Sequence, residues 1–86
     1  MDFSERFKEL KNLHRATYSE IAQYLGLNKR VVQYYAQGKR RPDFDGLIAL
    51  ANYFSVSVDY LLGLTNYNPY NKERSIDGGR TVIMRF

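Results

Sequence analysis

The stretch from Thr17 to Gly38, TYSEIAQYLGLNKRVVQYYAQG, constrains this chain more than any other, because it reads as two short helices joined by a tight turn. Thr17 followed by Glu20 is a capping box: the hydroxyl takes a free amide at the helix start and the carboxylate reaches back to the cap. Ile21, Ala22 and Leu25 recur at helical spacing, and Gly26 stands where a left-handed residue ends a helix. The turn is Gly26-Leu27-Asn28, with Leu27 expected to anchor it to the core and Asn28 to cap the second helix. On that second helix, 100° per residue gathers Lys29, Arg30, Gln33, Tyr34 and Gln37 into an arc of about 140°, while Val31, Val32, Tyr35 and Ala36 fill the rest. One face therefore packs. The other carries long donor side chains and no acid, which suits base edges and phosphates.

Charge supports the same reading through its distribution. The net charge of +4 is modest, yet Lys29, Arg30, Lys39, Arg40 and Arg41 lie between positions 28 and 41 with no acid among them, a local charge of +5. The remainder of the first sixty-five residues has four basic residues against seven acids. Basic charge is thus focused on one helix and the loop after it, and a polyanion, most naturally a duplex, is the partner this implies. A membrane-surface helix would need a continuous apolar face free of a core, and no segment reads that way.

The remaining chain builds a support for this stretch. Phe3, Phe7 and Leu10 form an apolar stripe on a first helix from Asp2 to about Leu13, with Asp2 and Glu5 as a second capping box. Its stripe should cover the helix pair from behind. Pro42 stops the second helix of the pair from running on, and Asp43 caps a fourth helix with Leu47, Ile48, Leu50, Ala51 and Phe54 as its apolar side. Gly46 should weaken that helix's first turn. Ser57 opens a short fifth helix bearing Leu61 and Leu62, closed by Gly63. The fold expected is all-α, five helices around one core, over residues 1–64.

From Thr65 the composition changes. Asn66-Tyr67-Asn68-Pro69-Tyr70-Asn71 is turn-like, Asp77-Gly78-Gly79 is a turn signal, and Thr81 to Phe86 has strand composition. A lone strand cannot satisfy its own backbone. The tail 65–86 therefore either serves as a dimerisation arm, stays disordered, or binds another protein.

Other chemistries find little support. With 86 residues there is one core and no room for a separate sensor domain. Eight Tyr and five Phe allow a core without disulfide or metal, and cysteine is absent. His14 has no second ligand near it and reads as a helix-end residue. No Ser-His-acid set, phosphate-cradling glycine loop or metal cluster occurs, so no cofactor, metal or enzyme activity is expected. The lack of a signal-like or membrane-length apolar run fits a cytoplasmic setting with no membrane partner.

From Phe3 to Gly63 the order of residues resembles the Cro and phage-repressor type of helix-turn-helix domain, also called the xenobiotic-response-element type. The matching pieces are SERFKEL at Ser4 to Leu10, TYSEIAQYLGL at Thr17 to Leu27, QGKRRP at Gln37 to Pro42 and LIALANYFSVSVDYLLG at Leu47 to Gly63, each at family spacing. The resemblance implies a lambda-repressor-like fold whose third helix enters the major groove while the start of the second sits on the backbone. It places Lys29, Arg30 and Tyr34 at base-reading positions, with Gln33 between them. Thr17, Tyr18, Asn28, Gln37, Lys39, Arg40 and Arg41 become contacts to the DNA backbone, the last four in or beside a loop whose amides and side chains hold phosphates. It further implies a homodimer on a palindromic operator, for which Tyr60, Leu61, Leu62, Val82, Ile83, Met84 and Phe86 are the available surface. At least one of Leu61 and Leu62 should be core instead. The function implied is a DNA-binding transcriptional regulator, a repressor foremost; the alternative is a DNA-binding antitoxin whose tail binds another polypeptide.

Four positions depart from the family pattern. Tyr18 stands where Gln is usual. Ala36-Gln37-Gly38 replaces Glu-Asn-Gly. Arg15 occupies a position where Gly is frequent, so the end of the first helix is expected to be built differently.

Overall fold

Each helix among the described residues is opened by a side chain that takes up an otherwise free backbone amide, and these caps set the element boundaries. The structure, a computed structural model, describes residues 1–68. It contains α1 (Phe3–Leu13), α2 (Tyr18–Leu25), α3 (Lys29–Gln37), α4 (Phe44–Phe54) and α5 (Val58–Leu61). Asp2, Thr17, Asn28, Asp43 and Ser57 are the caps. Asp2 and Thr17 form complete capping boxes with Glu5 and Glu20. The strand expected at Thr81 to Phe86 lies outside the described residues, as do the proposed dimer contacts Val82, Ile83, Met84 and Phe86.

The helix ends show how much of the chain's geometry rests on left-handed residues. Gly26 (φ 70°) ends α2 and Gly38 (φ 78°) ends α3. Arg15 (φ 55°) and Ser55 (φ 58°) adopt the same conformation with a Cβ in place. This corrects the expectation at Arg15: the connection after α1 has a left-handed turn there, and arginine bears the strain of roughly 1–2 kcal/mol that glycine would avoid. At Gly46 the first turn of α4 is crowded. A Cβ there would lie 3.1 Å from both Asp43 Oδ1 and Pro42 Cβ, while its amide donates to Asp43 Oδ1 at 2.8 Å. A side chain at this position would press on the cap.

The core gathers Phe7, Leu10, Ile21, Val32, Leu50, Phe54 and Leu61, all essentially sealed from solvent. Phe7 is its pivot, meeting Tyr35 of α3 and Phe54 of α4 edge-on with ring centroids 6.4 and 6.0 Å apart. Such rings combine large apolar burial with a favourable quadrupole arrangement. Through Phe3 and Phe7, α1 backs α3 as the stripe predicts.

Two apolar residues depart from their expected places. Leu27 is 40% exposed, so the α2–α3 turn is held by its backbone, through the Leu27 amide to the Ala22 carbonyl at 2.9 Å, and not by a buried anchor. Ile48 is 53% exposed on the outer side of α4. Of the Leu61–Leu62 pair, Leu61 is the one that belongs to the core, which removes it from the dimer candidates; Leu62 and Tyr60 are half-buried.

Arg6 is the residue that sequence reasoning missed. It counts as an ordinary cation in the charge balance, yet only 2% of its surface is exposed. Nη1 donates to the Tyr60 carbonyl at 2.8 Å, Nη2 to Asn66 Oδ1 at 3.0 Å, and Nε lies 3.2 Å from Glu9 Oε1 and 3.0 Å from Met1 Sδ. Its guanidinium also stacks on the Tyr60 ring, 3.7 Å from the centroid. One side chain thus ties α1 to the end of α5 and the segment after it. The signal was present: at 100° per residue Arg6 falls beside Leu10 at the edge of the arc that Phe3, Phe7 and Leu10 form on the inward face of α1.

Candidate nucleic-acid interface

The outer face of α3 follows from how its inner face packs. Val32, Tyr35 and Ala36 are buried, which leaves Lys29, Arg30 and Gln37 exposed and Gln33 and Tyr34 half-buried at the edge. All five expected polar residues therefore share the accessible side of one helix. Asn28 accepts the Arg30 amide at 2.8 Å, so the helix start is fixed close to the two cations. The asparagine's own amide nitrogen stays available as a donor.

At the other end of α3, backbone and side chain together hold Tyr34. Its carbonyl accepts the Lys39 amide at 2.9 Å and the Arg40 amide at 3.4 Å. The Lys39 ammonium stands 5.6 Å from the Tyr34 ring centroid. This revises one expectation about the loop: two of its amides are spent on Tyr34, so the Lys39 and Arg40 side chains are what they offer a phosphate. Lys39, Arg40 and Arg41 are exposed. Among the described residues, no carboxylate lies within ion-pair distance of Lys29, Arg30, Lys39, Arg40 or Arg41.

Behind this face, a groove of about 500 Å³ is lined by Tyr24, Leu27, Val31, Tyr35, Arg40 and Asp43, among others. Burial pushes the Tyr35 hydroxyl above its ordinary range; Arg40 draws it back and Asp43 adds to the rise. Tyr35 thus remains neutral and structural on the inner face of α3.

The start of α2 completes the surface. The Thr17 hydroxyl accepts the Glu20 amide at 3.0 Å, and the Thr17 amide donates to Glu20 Oε1 at 2.9 Å, so Glu20 is occupied within the cap. Tyr18 is half-buried against the core. Every residue expected at the DNA from positions 17 to 41 is at least partly accessible. Among the described residues no group of His, Cys, Asp and Glu is placed to hold a metal, and no helix is long and apolar enough to cross a membrane.

Comparison with known proteins agrees with this geometry. A family profile described as helix-turn-helix matches residues 7–61. An uncharacterised HTH-type transcriptional regulator of Bacillus subtilis, YobD, is 34% identical over 64 residues, covering 74% of this chain and 57% of the relative. The HTH-type transcriptional regulator ImmR of the same organism is 33% identical over 72 residues, covering 84% of this chain and 57% of its own length. Among solved structures, a transcriptional regulator from Listeria innocua superposes with a TM-score of 0.69 at 41% identity, covering 71% of this chain and 57% of that one. The chain thus spans little more than half the length of these relatives. All of them are transcriptional regulators, which are not enzymes.

Proposed function

The chain belongs to the Cro/C1-type helix-turn-helix family, and from that premise we propose that it is a sequence-specific DNA-binding transcriptional regulator that represses by occupying a palindromic operator as a dimer. The observation that carries the reading is the outer face of α3: five long polar residues, two of them cations without a carboxylate partner, on a helix whose other side is locked into the core. Solvated donors held on a rigid support meet the acceptors of the major groove with little reorganisation.

In this reading Lys29, Arg30, Gln33 and Tyr34 meet base edges. Arginine's fork matches the two acceptors of guanine, so Arg30 specifies a guanine in each half-site, and each good bidentate contact contributes about 1–3 kcal/mol of discrimination. Thr17, Tyr18, Asn28, Gln37, Lys39, Arg40 and Arg41 hold the backbone and fix the register. Residues 1–64 form the DNA-binding unit. Two copies, joined through Tyr60, Leu62 and the tail, place their α3 helices about 34 Å apart, one turn of duplex. The setting is the bacterial cytoplasm, where operator DNA lies.

The test is selection of bound duplexes from a random pool at near-physiological salt, with Lys29→Ala, Arg30→Ala and Tyr34→Ala beside the wild type. The expected result is an enriched palindrome whose preferences relax position by position in the variants. Salt-sensitive binding without any enrichment would overturn the sequence-specific reading.

A further inference from the structure

Of the side chains that hold the reading helix in place, Tyr35 keeps one group unspent. Its ring packs edge-on against Phe3 and Phe7, and only 6% of the residue is exposed. Its hydroxyl nevertheless makes no hydrogen bond among the described residues. No sealed side-chain oxygen or nitrogen among them lacks a partner, so this hydroxyl opens onto the space beside it, the groove behind α3. A phenol oxygen held in largely apolar surroundings without a partner costs free energy that an acceptor entering the groove would offset.

The groove supplies the rest of a recognition set. Its volume of about 500 Å³ falls within the range of small-molecule sites. Leu25, Leu27 and Val31 contribute apolar lining, Leu27 being turned outward instead of into the core. Arg40, Arg41, Asp43 and Asp45 line it as well, two charges of each sign, and none of the four is ion-paired among the described residues. Asp43 spends Oδ1 on the Gly46 amide, whereas Asp45 is exposed in the first turn of α4. Opposite charges that share a cleft without pairing suit a zwitterion, because a guanidinium recognises a carboxylate and a carboxylate recognises an ammonium. A simple fatty acid would set its carboxylate against the aspartates, and a simple amine would set its ammonium against the arginines. We propose that this groove binds an α-amino acid with a large apolar side chain, its carboxylate taking the Tyr35 hydroxyl and the Arg40 guanidinium, its ammonium meeting Asp45, and its side chain lying on Leu27 and Val31. Arg40 is also a backbone contact in the DNA-binding reading, so an occupied groove withdraws one cation from the duplex and weakens binding. The site stands apart from that reading; only its effect on the duplex rests on it.

The experiment titrates the protein, without DNA, with L-phenylalanine, 3-phenylpropionate, phenethylamine and glycine, following backbone amide shifts in the wild type, Tyr35→Phe and Asp45→Asn, with a thermal melt of each. Phenylalanine should perturb the amides of Leu27, Val31, Arg40 and Gly46. The other three compounds, each lacking one recognised group, should bind about tenfold more weakly or worse, and so should phenylalanine to the folded Tyr35→Phe and Asp45→Asn variants, the loss of one hydrogen bond to a charged group. A wild type that phenylalanine leaves unperturbed, an equal affinity for 3-phenylpropionate, or an unaltered affinity in Tyr35→Phe would each overturn the site. In a second arm phenylalanine is added to the wild type on a selected duplex. Duplex affinity should fall severalfold and the slope of log affinity against log salt by about 0.9, the share of one phosphate contact, while Tyr35→Phe at the same phenylalanine concentration should show neither change. Bound phenylalanine that leaves duplex affinity unaltered would overturn the coupling to DNA. Absence of duplex binding by the wild type would overturn the DNA-binding reading, and the titration without DNA would still decide the site.

Discussion

Two arginines on neighbouring helices show how differently one side chain can be used. Arg30, in the first turn of α3, is exposed and unpaired; Arg6, in the first turn of α1, is sealed in and has every nitrogen within reach of an acceptor. A buried guanidinium must spend its donors inside the protein, because leaving one unpaired costs more than the contact returns. An exposed one on a rigid helix keeps its donors for a ligand. The chain thus separates a cation that joins the ends of the domain from cations that serve its outer face.

The largest expected effect comes from breaking the Arg6 side of this contrast. Arg6→Ala should destabilise the fold by about 2–4 kcal/mol, since it removes the guanidinium bonds to the Tyr60 carbonyl and Asn66, leaving that carbonyl only the Gly63 amide, and empties the space over the Tyr60 ring. Arg6→Lys should recover only part, because a point charge cannot span acceptors that a planar fork reaches together. Chemical denaturation with an unchanged m-value is the check. Arg30→Ala should do the reverse, leaving stability within about 0.5 kcal/mol and costing about 1–3 kcal/mol of specific DNA affinity. Titration against the selected duplex and against a scrambled one measures that difference.

Smaller effects sharpen the picture at the helix ends. Arg15→Gly should stabilise by about 0.5 kcal/mol, the relief of left-handed strain exceeding the added freedom of the unfolded chain. The melting temperature should rise by about 2–4 °C. The pH dependence has two edges. Asp2 has its carboxyl held below the ordinary range, chiefly by the Glu5 amide and then by the Ser4 hydroxyl. Its contribution is present above its unfolded pKa and is lost as pH falls through the lower folded value. The Tyr35 hydroxyl is raised by burial, so its contribution is present below about pH 10 and lost as pH climbs through the higher folded value. Melts across pH should show a broad plateau bounded on both sides, with Asp2→Asn flattening the acid edge and Tyr35→Phe the alkaline one.

What could be read from sequence follows the same division. The α2–α3 unit was legible because its signals are local: a cap at Thr17, a stop at Gly26, a cap at Asn28 and an arc of polar residues on α3. Five helices and their caps were read for the same reason. Arg6 was not, because its partners Tyr60 and Asn66 are more than fifty positions away and only folding brings them together. Leu27 was misplaced because an apolar residue in a turn suggests an anchor, whereas a backbone bond to Ala22 already holds this turn. Arg15 misled for a related reason: a position that tolerates glycine by preference still folds with arginine when the surrounding helices over-determine the turn.

The most direct measurement is backbone amide chemical-shift mapping of the protein titrated with a selected duplex. The perturbed amides should concentrate on Asn28 to Arg41 and at Thr17 and Tyr18, while those around Arg6 and Tyr60 remain unperturbed in a half-site titration. Perturbations centred on the Arg6 side, with α3 unaffected, would contradict the DNA-binding reading.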